Sequence, residues 1–254
     1  MLSLFRYECA INKHIIESGL NVYAYLTIRA LANLGPTNLF SPEMRDKLSE
    51  ETRTERKGVD EDDNNNENES NKPSVYHSKD FLNLYALMAH EETLNTEEWL
   101  LRVLIAIFLF KCLKLTGFFE SVSKDKTNDD VKENVNGNAN AVEDETLTEH
   151  EMFACKVILR VINICPTNCH DVSEFETPVL DSFTTACNKV SIGAAIYPTL
   201  ALFNHACDPS FMRCNKGNGV IAVANRKILK GKLLFERKSD LHKLNYYTLT
   251  NILE

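Results

Sequence analysis

Two stretches with almost no apolar side chains decide how this chain can fold. DEDDNNNENESNKPS at 60–74 is one, and residues 121–148, containing NVNGNANAVEDET, are the other. Such segments cannot offset their ordering entropy by burial, so both read as disordered, solvated inserts. A core must therefore be assembled from the three pieces they separate. The charge follows the same division. Segment 51–74 carries −4 and segment 120–151 carries −7 of a total of −8, so the rest is mildly basic at +3. The acidity belongs to the inserts and says little about partners. No duplex-binding basic stripe and no basic amphipathic helix is evident, which disfavours direct nucleic-acid binding.

The first two pieces read as helical. Ile11, Ile15 and Ile16 recur at helical spacing, Gly19 breaks the run, and Leu26, Ile28, Leu31 and Leu34 continue it. Gly35-Pro36 stops the second run, because proline cannot continue a helix and glycine accepts a left-handed cap. SKDFLNLYALMAH (78–90) predicts a helix capped by Ser78, and 95–119 predicts a longer one with acids first and lysines last. Its most apolar stretch, Val103–Phe110, lies between Arg102 and Lys111, far short of the ~18 residues that span a membrane.

The third piece starts with a helix over about Glu149–Ile164 and then changes texture. IGAAIYPTLALFNHACDPS has no helical period. GVIAVANRKI (219–228) reads as a strand, Lys230-Gly231 as a turn and KLLFE (232–236) as a second strand, predicting a β-hairpin. The fold class expected is α+β, mostly helical first and β-rich last. Eight cysteines occur without a CxxC, and the N-terminus lacks a long apolar signal core, which predicts reduced thiols inside a cell.

Most of the chemistry sits in NHACDPS, residues 204–210. His205, Cys207 and Asp208 could ligate a metal, but structural zinc takes four ligands, and only Cys214 and His242 stand nearby in sequence. A Cys207–His205 nucleophile is a second reading, although such pairs normally come from distant segments. In the third, Asp208-Pro209 makes a turn and Asn204 caps a strand end. On the heptapeptide alone the turn is favoured.

The residues that follow it in fixed order change the weighing: Arg213, Val220–Ala224, Arg226-x-Ile228 and Lys230-Gly231. With IYPTLALFNHACDPS they resemble the second half of a SET domain, whose pattern is NHSCDPN, then A-x-R-x-I, then KGEE. PTNCHDV (166–172) is similar to the N-A-H-E-I segment of SET and MYND domain-containing protein-lysine methyltransferases, and the member-four type of that family is nearest. FRYEC (5–9) resembles the last H-x-x-x-C ligands of a MYND zinc finger. The resemblance covers nearly the whole chain outside the acidic inserts.

It implies a division into a helical region after a MYND remnant (1–50), an acidic insert (51–75), a helical SET insert (76–120), a second acidic insert (121–148) and the C-terminal part of a SET domain (149–254). It also implies S-adenosylmethionine as methyl donor, a protein substrate or partner, no membrane, and residence in cytoplasm and nucleus. Asn204 and His205 would hold the two ends of the cofactor, Asn168 would add a polar contact, and Phe203 and Ala201 would line the pocket, with the family preferring serine at Ala201.

The chain departs from the pattern at several points. KGEE is KGKL, and the family tyrosine position is Lys238, whose ammonium would repel a sulfonium. Tyr246 and Tyr247 would need a register shift of eight or nine residues. Zinc serves longer relatives, but no complete site is present: Cys207 and Cys9 are orphaned ligands, and Phe5 stands at a histidine position. The expectation is a piece of such an enzyme, or a degenerate relative, with methyl transfer weak or lost. The alternatives are a non-catalytic interaction protein and a truncated product that does not fold stably.

Overall fold

Residues 2–57, 80–119, 147–176, 188–217 and 219–237 are described in a computed structural model of the chain. The apolar periodicity of the first run becomes helix α1 (Leu2–Glu17), with Ile11 and Ile15 buried one turn apart. Gly19, at φ 67°, takes the left-handed conformation that ends the run. α2 (Val22–Leu34) is capped by Asn21, whose side chain accepts from the Tyr23 amide at 3.1 Å. Gly35, at φ 78°, then ends α2 and opens the one-turn helix α3 (Pro36–Leu39).

α4 (Pro42–Lys57) enters the segment expected to be disordered from residue 51. Its first turn is fixed by the Ser41 hydroxyl, which accepts from the Met44 amide, and Leu48 anchors it in the core. A Glu43–Lys47 pair supports its exposed side. The remainder of that insert and nearly all of the second lie outside the described residues.

α5 (Phe81–Tyr85) is shorter than the helix expected over 78–90. Asp80 caps it, accepting from the Leu82 amide at 3.1 Å; Ser78 lies outside the described residues. Beyond Tyr85 the chain turns, because buried side chains of another helix take its carbonyls, and His90 at φ 50° diverts it into a 3-10 turn at Glu91–Thr93. α6 (Thr96–Leu115) starts with a reciprocal capping box between Asn95 and Glu98, and α7 (Glu149–Asn168) with another between Thr148 and Glu151.

α7 packs against α2 and α6 to form the main core, where Leu31, Leu109, Leu113, Val161 and Cys165 are fully enclosed. It runs four residues past the expected end at Ile164. Asn168 Nδ2 and the Thr167 hydroxyl both donate to the Ile164 carbonyl, at 2.9 and 3.4 Å, and the Cys169 amide donates to the Cys165 carbonyl, which together close the last turn.

Three two-stranded sheets follow among the described residues. β1 (Cys169–Glu176) and β2 (Asn188–Ile196) pair antiparallel, with a register shift between Val172 and Ser173. After the short helix α8 (Pro198–Ala201) come β3 (Asn204–His205), β4 (Phe211–Lys216), β5 (Gly219–Ala224) and β6 (Phe235–Glu236). The hairpin expected between 219–228 and 232–236 does not form. β5 instead turns back on β4, with Lys216 opposite Gly219 and Gly217 at φ 57° in the turn. Two residues close that loop, whereas the predicted partner lies farther along the chain. β6 pairs in parallel with β3, Asn204 opposite Phe235 and His205 opposite Glu236. The architecture is α+β, helical in its first two pieces and β-rich in its third.

Candidate functional site

The 204–210 segment is held at both ends by β6. The Ala206 amide donates to the Glu236 carbonyl at 3.0 Å and the Ser210 amide to the Phe235 carbonyl at 2.9 Å. The Ser210 hydroxyl accepts from the Phe235 amide at 3.3 Å. Between these points Asp208 serves the loop itself. Arg226 donates to its carboxylate at 2.6 Å and to its carbonyl at 3.2 Å, and Asn225 Nδ2 donates to the Pro209 carbonyl at 3.0 Å. The Asp208-Pro209 turn is therefore present, braced from the segment that follows β5.

Asn204 and His205 are both exposed on β3, carried by a strand whose backbone is paired. Phe203 just before them packs edge-on against the buried Phe211, ring centroids 4.9 Å apart. That contact fixes the start of the strand, so the Asn204 amide and the His205 imidazole are presented from a braced backbone. Such a pair can accept and donate hydrogen bonds to a polar ligand at little ordering cost.

Asn168 and Ala201 are placed by other contacts. Ala201 packs against the small buried cluster of Leu87, Ala89 and Ile164. Asn168, buried at the end of α7, donates through Nδ2 to the Met88 carbonyl at 2.7 Å, beside the same cluster. Its amide nitrogen is committed to main-chain carbonyls. The structure thus carries Asn204 and His205 on one braced strand that follows Phe203, and sets Asn168 and Ala201 each beside Ile164.

Cys207 is exposed, with Sγ 3.9 Å from His205 Nε2, a long sulfur contact. Cys9 is exposed on α1. Among the described residues no group of three or more His, Cys, Asp or Glu side chains is placed to hold a metal ion. The donors there do not fit a zinc site, and no step of the chemistry is assigned to zinc. Cys169 has its thiol pushed far above the ordinary range, first by its hydrogen bond with Cys165 and then by burial, which rules against a reactive thiolate there. Lys238, Tyr246, Tyr247 and His242 lie outside the described residues.

Three residues absent from the sequence-derived set stand behind the loop. Glu236 is 1% exposed. Arg213 Nη1 donates to its Oε1 at 2.8 Å, and His170 Nε2 is 3.4 Å from its Oε2. The only sequence signal for Glu236 is a lone acid ending the apolar run KLLFE. Nearby, burial pushes the Tyr197 hydroxyl up in pKa, and the Arg213 charge opposes that less strongly.

Comparison with protein-family models, with curated proteins and with solved structures returns no match. Among the described residues no helix is long and apolar enough to cross a membrane.

Proposed function

We propose that the third piece of this chain is SET-like and that its 204–210 loop binds S-adenosylmethionine. The observation that carries the reading is the ordered constellation over 197–231: Tyr197-Pro198, Asn204-His205, Cys207-Asp208-Pro209, Arg226-x-Ile228 and Lys230-Gly231. It is supported by the exposure of Asn204 and His205 on a braced strand, while Asp208 is used inside the loop. When bound, that cofactor supplies an electrophilic methyl group on a sulfonium. The Asn204 amide and His205 ring would hold and orient it, and Phe203 would stiffen the strand that carries them. Asn168 would act mainly by fixing the end of α7, given where its amide nitrogen is committed.

In this reading methyl transfer to a protein lysine is weak or lost. Lys238 stands where the resembled family has a tyrosine, so the hydroxyl that would orient methyl and amine is replaced by an ammonium that repels the sulfonium donor. Incubation with radiolabelled S-adenosylmethionine and histone or other basic proteins tests this. Little or no label transfer by the wild type, rising with Lys238→Tyr, is the expected result. Efficient wild-type transfer would refute the lost-activity part, and cofactor-independent behaviour of every variant would refute the whole.

A second reading is a non-catalytic partner-binding protein built on the helices. The observation favouring it is the exposed apolar side of α6, where Leu100, Leu104 and Leu115 are 59, 54 and 77% exposed. Partner binding that is lost in Leu104→Asp and indifferent to Asn204→Ala would select it.

A further inference from the structure

The Glu236 carboxylate joins all three sheets. It rises from β6, takes the Arg213 guanidinium from β4 at 2.8 Å and faces His170 of β1 at 3.4 Å. The side chains of Glu236 and His170 are each 2% exposed and that of Arg213 is 13% exposed. The backbone of the same strand holds both ends of the 206–210 loop through the Ala206 and Ser210 amides. Burying a carboxylate is costly, and an apolar side chain could fill the same space at less cost. Its presence at the meeting point of three strands therefore points to a job in fixing geometry.

The contact with His170 is incomplete. Neither ring nitrogen of His170 nor Oε2 of Glu236 completes a hydrogen bond. The other groups around the ring are few. The Tyr197 ring lies 6.0 Å away, Ala195 is its cross-strand partner on β2, and Cys169 and Asp171 flank it on β1, with Asp171 bonded to Ser191.

We propose that Glu236 is a positioning residue for the Asn204–His205 loop, and that Arg213 and His170 act through it to hold the loop ready for ligand. The ligand part rests on the cofactor-binding reading above; the positioning part does not. Arg213 sets one carboxylate oxygen, His170 packs against the other at 3.4 Å, and β6 passes that placement to β3 through the parallel pairing.

The test has a ligand-free arm and a ligand arm. In the first, amide hydrogen exchange is followed at Ala206 and Ser210, with Val161 of α7 reporting global opening. Glu236→Ala should speed the two loop amides about tenfold or more relative to Val161, the scale of one charge-assisted hydrogen bond. Glu236→Gln, which keeps an acceptor for Arg213, should retain protection. Where Glu236→Ala does not fold, Arg213→Met carries the same test. Unchanged loop exchange in these variants overturns the proposal whatever the ligand result.

In the second arm, S-adenosylmethionine affinity is measured in the wild type, Glu236→Ala, Glu236→Gln and His170→Asn. Glu236→Ala and His170→Asn should each bind about tenfold or more weakly, while Glu236→Gln, which keeps an acceptor for Arg213, stays near the wild type. Unchanged affinity in His170→Asn overturns the role of His170. Loop exchange that responds while the wild type binds no cofactor leaves the positioning standing and refutes the cofactor reading alone.

Discussion

Asn168 and Met88, 80 residues apart in sequence, are joined by a hydrogen bond of 2.7 Å from the Asn168 side-chain amide to the Met88 carbonyl. The same nitrogen donates to Ile164 at 2.9 Å, so one buried amide closes the end of α7 and ties the segment after α5 to it. Asn168→Ala should lower stability by about 1–3 kcal/mol, the cost of leaving buried carbonyls unpaired. Asn168→Asp should do at least as badly, since it sets a carboxylate against two carbonyl oxygens. Urea melts of the two variants check this; a wild-type midpoint for either would contradict it.

Arg160 holds the same segment from about two turns earlier. Its Nη2 donates to the Leu87 carbonyl at 3.0 Å and to the Tyr85 carbonyl at 3.4 Å, and its Nη1 lies 3.6 Å from Glu91. The guanidinium also sits 5.8 Å from the centre of the Tyr85 ring. Lysine cannot reproduce this fork, so Arg160→Lys should cost about 2 kcal/mol or more. Glu91→Gln should cost less, because Glu91 is 38% exposed at its side chain. Thermal unfolding of both variants orders the two effects.

The start of α7 gives a pH dependence. The Glu151 carboxyl is held below the usual range, first by its hydrogen bond with Lys114 and then by the Thr148 amide. A depressed carboxyl contributes stability above its unfolded-state pKa and loses it as pH falls through the folded-state value. Stability should therefore decline on acidification below about pH 4.5, the ordinary glutamate range. Glu151→Gln should flatten that part of the curve. Equal acid sensitivity in wild type and variant would show that other carboxyls carry the effect.

The residues that were readable from sequence are those governed by local rules. Ile11 and Ile15, the break at Gly19 and the stop at Gly35-Pro36 all act within a few residues, and each appears where expected. Pairing is not local. β5 could have turned toward 232–236 or toward 211–216, and the choice fell to the shorter loop at Gly217. The His170–Arg213–Glu236 cluster was not readable, because its members come from three strands and only the fold brings them together. The Asp208-Pro209 turn was read from its own residues, while its brace by Arg226 needed the structure.

Titration calorimetry of the purified chain measures directly whether the Asn204–His205 loop binds S-adenosylmethionine. One-site binding is expected, weakened about tenfold or more by Asn204→Ala, with the thermal midpoint of the variant unchanged because Asn204 is exposed. No heat of binding in a folded wild-type chain, or an affinity indifferent to Asn204→Ala, would contradict it.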